Sequence, residues 1–160
     1  MHSRNSKEAI GYLFGILCLC FVYADSTYIQ GNKMIITMEI INETKQKEKT
    51  LYIELEENVA SKEFIKQLPL ELEFSDYANK EKVAHLPYNL SVKNTPNYNP
   101  QIGDFFYFSP WGNIGIFYGK QPPFNGLVYL GKILQSNLGE NEIETLREIK
   151  QDFKAIIKAK

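Results

Sequence analysis

The densest set of ionisable side chains is Asp76, Tyr77, Glu81, Lys82 and His85, within a stretch from Ser75 to Pro87 that reads as polar and irregular. Tyr77, Glu81 and His85 stand at i, i+4 and i+8, which on a local helical turn would put all three on one face. There Glu81 and His85 could exchange a proton in a pocket. The structural alternative is that Glu81 bonds loop backbone while His85 packs near Pro87. Trp111 and Asn113 offer a flat ring and an amide to a ligand. A sole tryptophan serves as readily as a lid over the core. The loop Gln121-Pro122-Pro123-Phe124 either faces a partner or stiffens a connection.

The remaining composition excludes much. Arg4 and Lys7 lead into the apolar run AIGYLFGILCLCFVYA, and Val22 and Ala24 stand at −3 and −1 before Asp25. This predicts an export signal over 1–24 cleaved after Ala24, a leader over 25–33 and one domain over 34–160. The run is shorter than the roughly 20 apolar residues of a membrane-spanning helix, so no stable span is expected after cleavage. An uncleaved membrane anchor, or a start at Met34, are the alternatives. Cleavage removes Cys18 and Cys20 and leaves His85 and Arg147 as the only residues of their kinds. That excludes a disulfide framework, a thiol nucleophile and a His-rich metal site, and no cofactor is expected. The net charge of −1 becomes −2, because 1–24 carries Arg4 and Lys7 against Glu8. Such a balance gives no footprint for nucleic acid.

The elements that must position these side chains are short. MIITMEII (34–41) alternates, as do Leu51, Ile53 and Leu55 with Tyr52 and Glu54. Asn58 can cap a helix carrying Ala60, Phe64 and Leu68 that ends at Pro69. Leu70 to Phe74 alternates again, and Tyr88 to Val92 reads as a further strand. GDFFYFSPWGNIGIFYG (103–119) is a hairpin: two aromatic-rich runs around a break at 109–113. LVYLGKIL (127–134) reads as a buried strand in which Gly131 marks a bulge or a close backbone approach. Asn141 with Glu144 resembles a capping box, and Ile143, Leu146, Ile149, Phe153 and Ile156 form one stripe, which predicts a C-terminal helix over 141–158.

Seven or eight short strands with one internal and one terminal helix indicate a mostly β protein, a closed or nearly closed antiparallel barrel. The ligand-facing surface is then expected at the barrel mouth, where the loops carrying Tyr77, Glu81, His85, Trp111 and Asn113 would converge.

In order, the chain shows a helix ending in Leu68-Pro69, the pairs Asp76-Tyr77 and Glu81-Lys82, and Leu86-Pro87. Gly103-Asp104, Pro110-Trp111-Gly112-Asn113, Phe117-Tyr118 and Leu130-Gly131-Lys132-Ile133 follow. Over residues 34–134 this series resembles the small bacterial and archaeal cyclophilin-like fold proteins. The resemblance implies a cyclophilin-like β-barrel flanked by helices and no established activity, so no catalytic residues transfer. True cyclophilins carry a Phe-His-Arg run, a Phe-x-Met-Gln-Gly-Gly-Asp-Phe run and a Trp-Leu-Asp-Gly-x-His run. Here Pro100-Gln101-Ile102 precede Gly103-Asp104-Phe105, and Gly112-Asn113 follow Trp111. The arginine those enzymes set against the twisting prolyl amide has no counterpart outside Arg147, and lysine lacks the planar fork. The function expected is an exported binding module for a peptide or small ligand. A prolyl isomerase with a non-standard site is the alternative.

Overall fold

The computed structural model describes residues 33–44, 46–135 and 141–160. The expected signal over 1–24 and nearly all of the 25–33 leader lie outside the described residues.

Alternation lays out the first two strands as expected. Met34–Ile41 (β1) buries Ile36, Met38 and Ile40, and pairs antiparallel with Lys47–Leu55 (β2), which buries Leu51, Ile53 and Leu55. The helix Val59–Ile65 (α1) starts where Asn58 caps it: its Oδ1 accepts from Ser61 N at 2.9 Å and its Nδ2 donates to Tyr129 O at 2.8 Å. Ala60 and Phe64 of α1 enter the core fully buried. Removing a ring such as Phe64 costs about 3–5 kcal/mol.

Leu70–Tyr77 (β3) and Glu81–His85 (β4) form a hairpin, which corrects the irregular reading of 75–87. Ala78 and Asn79 occupy its turn at φ 53° and 55°, the left-handed values that suit a tight hairpin. The polar run looked unstructured because few of its residues need an apolar face, whereas pairing with neighbouring strands gives it structure. Tyr88–Val92, expected as a strand, is instead an extended segment tied to its surroundings. Leu90 is buried, Leu90 N donates to Tyr107 Oη at 3.2 Å, and Gln67 Nε2 donates to Tyr88 O at 3.0 Å.

The aromatic hairpin is present as Asp104–Phe108 (β5) and Asn113–Phe117 (β6). Leu127–Ile133 (β7) carries Gly131, where an added Cβ would stand 2.2 Å from Glu54 O, and the β5–β7 register shifts beside it. Both features expected of that glycine occur.

The expected helix over 141–158 is corrected. Only Glu142–Glu148 (α2) is helical, and Phe153–Ala159 (β8) is a strand. β8 pairs with β1 on one side and β3 on the other. Without it both strands would keep an open edge, and that tertiary demand outweighs the helical spacing of the stripe. Ala155 and Ile157 face inward while Lys154 and Lys158 face outward, a period-two signal hidden beneath the longer stripe.

The result is the expected mostly β architecture, a closed barrel in the order β1-β2-β7-β5-β6-β4-β3-β8. Its interior is packed with aliphatic and aromatic side chains, which Ala60 and Phe64 of α1 and Ile143 and Leu146 of α2 join. Glu63 of α1 accepts from Ser91 N, beyond the end of β4, and the carbonyl of Ile149, the residue just after α2, meets Lys82 near the start of β4. The two helices therefore close opposite ends of the barrel.

One connection matters for the site. β6 and β7 both run antiparallel to β5, so they are parallel to each other. The segment between them must travel back along the barrel, and it does so across the outer wall.

Candidate functional site

On β4, β5 and β6 alternate side chains leave the barrel. The outward rows, read from the register, are Tyr77-Glu81-Phe117, then Val83-Gly115-Phe106, then His85-Asn113-Phe108-Leu127. Phe106, Phe117 and Leu127 form a second buried cluster outside the barrel, separate from its interior. Phe106 and Phe117 stack with centroids 4.1 Å apart and planes 16° from parallel. Gly115 makes this possible, because a Cβ there would lie 2.5 Å from Phe106 Cζ.

Over this floor lies a cavity of about 140 Å³, walled by Trp111, Tyr77 and Phe108 and crossed by Gln121, Pro122 and Phe124 of the returning segment. A cavity of about 150 Å³ is large enough to take benzene, so the space suits one ring or one side chain. Trp111 is 52% exposed and stands edge-on to Tyr77 at 5.5 Å and to Phe108 at 5.4 Å, at 81° in both cases. It is therefore a wall of this pocket and not a lid over the core.

Two polar groups line the cavity. Asn113 is 3% exposed, and its Oδ1 has no hydrogen-bond partner among the described residues. Glu81 is 9% exposed and accepts a hydrogen bond from Gln121 Nε2. Burial pushes the Glu81 carboxyl above its ordinary value, against the smaller opposing pulls of Gln121 and Lys80.

Four of the five residues singled out from the sequence, Tyr77, Glu81, Trp111 and Asn113, thus line one cavity. The geometry differs from the expected one in two ways. They lie on the outer wall and not at the barrel mouth, because outward parity carries them there and the helices occupy the ends. His85 does not join them. It is exposed, with Nδ1 3.1 Å from Trp111 O, and it supports the turn. Four residues along a strand span about 13 Å, so Glu81 and His85 form no proton-transfer pair. The helical face assumed for Tyr77, Glu81 and His85 does not exist.

The sequence reading missed Val83, Phe106, Phe108, Phe117 and Leu127 as site residues, and it held Gln121 only as part of a loop that faces a partner or stiffens a connection. A signal was available in DFFYF, since a strand with four consecutive aromatic residues must place two of them outside, where exposed rings need cover.

Directly behind Glu81, Lys82 points inward and is fully buried. Its Nζ lies 2.6 Å from Asp76 Oδ2 and 2.5 Å from Ile149 O, with the Tyr118 ring centroid at 5.2 Å. Tyr118 Oη donates to the same Asp76 oxygen at 2.5 Å. Desolvation raises the Asp76 pKa, but the bonds from Lys82 and Tyr118 outweigh it and hold the carboxyl below its ordinary value. Arg147 bonds Tyr118 O at 3.0 Å and Glu144, and is not among the residues lining the cavity.

Among the described residues, no helix is long and apolar enough to cross a membrane. No group of three or more His, Cys, Asp or Glu residues among them could hold a metal ion.

The chain belongs to the cyclophilin-like family, whose sequence pattern matches residues 44–158. The match takes in β8, beyond the 34–134 stretch that carried the resemblance. The fold is similar to the solution structure of a hypothetical protein from Archaeoglobus fulgidus, with a TM-score of 0.59 and 17% identity, covering 82% of this chain and 98% of that one. It is also similar to McbB, solved in complex with tryptophan, with a TM-score of 0.53 and 12% identity over 78% of this chain and 44% of McbB. At these identities the likeness is one of fold. No curated protein matches the chain.

Proposed function

We propose that this protein is a binding module whose outer-wall pocket takes a small aromatic ligand, or one aromatic group of a larger ligand, that carries an N–H donor. The observation that carries this reading is Asn113 Oδ1, a buried acceptor without a partner that lines an aromatic cavity of single-ring size. An unmet buried acceptor costs about 1–3 kcal/mol, and a ligand N–H would recover it. The rings of Phe106, Phe117, Trp111 and Tyr77 supply the apolar contact area, and the two polar groups set orientation. McbB, 44% of which resembles this chain in fold, was solved in complex with tryptophan, an aromatic compound that carries an N–H.

Indole against N-methylindole tests the reading, with binding followed by amide chemical shifts. Indole binds more tightly, and Asn113→Leu removes the difference. Equal binding of the two compounds to the unaltered protein overturns the role of Asn113.

The same proposal includes export with cleavage after Ala24, supported by the Arg4 and Lys7 start and by Val22-Tyr23-Ala24. Intact mass of protein purified from cells tests it. A mature chain that retains Met1 or begins at Met34 overturns it.

A further inference from the structure

The pocket has a second polar end, and resting on the reading above, we propose that this end receives the protonated amine of an arylalkylammonium ligand, with Glu81 as its counter-charge. Glu81 stands in register between Tyr77 on β3 and Phe117 on β6, so it is flanked by two aromatic residues, and it lines the same cavity as Trp111. Its one hydrogen-bond partner, Gln121, is neutral, and no described cation forms an ion pair with it.

Buried charges in proteins are ordinarily paired, because an unpaired one loses solvation with no return. The neighbouring residue shows what pairing looks like in this same barrel. Lys82 is more deeply buried and is matched by Asp76, a backbone carbonyl and a ring face. Glu81 has the enclosure without the cation. Aromatic faces attract cations within about 6 Å of the ring centroid, so Tyr77, Phe117 and Trp111 favour the same guest that the carboxyl does. Lys80 is a competing charge that acts on Glu81. Its side chain is exposed, and its effect on Glu81 is smaller than that of burial.

The two polar ends define the shape of the guest. Asn113 and Phe117 are four residues apart on β6, about 13 Å of strand, and the Glu81 and Asn113 side chains both line the space between them. A ring lying over Phe106 with a short alkylammonium arm towards Glu81 fits that spacing, and an N–H at the other edge of the ring meets Asn113.

Phenethylamine and phenethyl alcohol, nearly equal in shape and differing in charge, decide the matter at neutral pH by calorimetry. The amine is expected to bind about tenfold or more tightly than the alcohol. Glu81→Gln removes that preference, with Trp111 emission confirming an intact wall. Lys80→Ala increases the preference by taking away the competing cation. Equal binding of amine and alcohol overturns the ammonium assignment while leaving the aromatic pocket standing. Binding of neither compound overturns it as well, and the indole pair then shows whether the pocket itself fails. A preference that survives Glu81→Gln places the charge recognition elsewhere and also overturns the assignment.

Discussion

Glu81 and Lys82 are adjacent on β4 and both are buried, yet they live in opposite circumstances. Lys82 points into the barrel and is saturated: a carboxylate, a backbone carbonyl and a ring face meet it, and Ile149 O ties the segment after α2 to the barrel through it. Glu81 points out, into a cavity, and meets one neutral amide. The comparison separates two uses of a buried charge. A saturated one holds structure together, and an unsaturated one facing a cavity is available to a ligand.

Replacing Lys82 tests the structural half most severely. Lys82→Met leaves Asp76 without its cation, and breaking a buried pair from one side costs about 3–5 kcal/mol. Urea unfolding measures it. A loss below about 1 kcal/mol would mean that the interior network is dispensable. Trp111→Ala comes next. The ring is half exposed and makes two edge-on contacts, so stability falls by about 1–2 kcal/mol while indole binding drops beyond detection. A loss confined to stability would remove Trp111 from the site.

The pH dependence of stability sharpens the contrast further, because the two carboxyls on this hairpin shift in opposite directions. The folded Asp76 carboxyl lies below its ordinary 3.8, so its contribution is present above that value and is lost as the pH falls through the folded one. The folded Glu81 carboxyl lies above its ordinary 4.5, so its contribution is fullest below 4.5 and is lost as the pH rises through the folded value. Glu81→Gln therefore flattens the upper limb and leaves the acid limb in place, whereas Lys82→Met changes the acid limb. Unfolding midpoints collected across the acid range check both. The smallest expected effect is on prolyl isomerisation. Mature protein should stay at background in a protease-coupled peptide assay, since Arg147 is engaged by Tyr118 O and Glu144 and does not line the cavity. Robust turnover that survives Arg147→Ala would show that another residue does that work.

The sequence made the barrel legible where local and tertiary preferences agree. β1 and β2 alternate, Asn58 caps α1, and the 103–119 run pairs as a hairpin around its turn. It misled where they conflict. Asn141 does cap a helix, but seven residues later the chain leaves it, and Phe153 to Ala159 become a strand because β1 and β3 need a common neighbour. The site was half legible. Residue types pointed to Tyr77, Glu81, Trp111 and Asn113, but their placement depends on strand parity, which an irregular reading of 75–87 left without a register. Lys82 was illegible, because a lysine in a polar run is normally exposed, and only the register shows that it points inward.

The place of β8 in the barrel also governs how the chain can be made. Ile36 of β1 pairs with Ala159, and Leu70 of β3 pairs with Ile157. At about 5–20 residues per second, β1 leaves the ribosome on the order of ten seconds before its second neighbour exists. During that interval β1 and β3 each present an unpaired edge, with β-branched residues along β1. Closure also joins residues more than a hundred positions apart, a non-local step that is slow to form. The nascent chain is thus most exposed to edge-to-edge association just before β8 emerges, and a chaperone acting on it has two edges to cover.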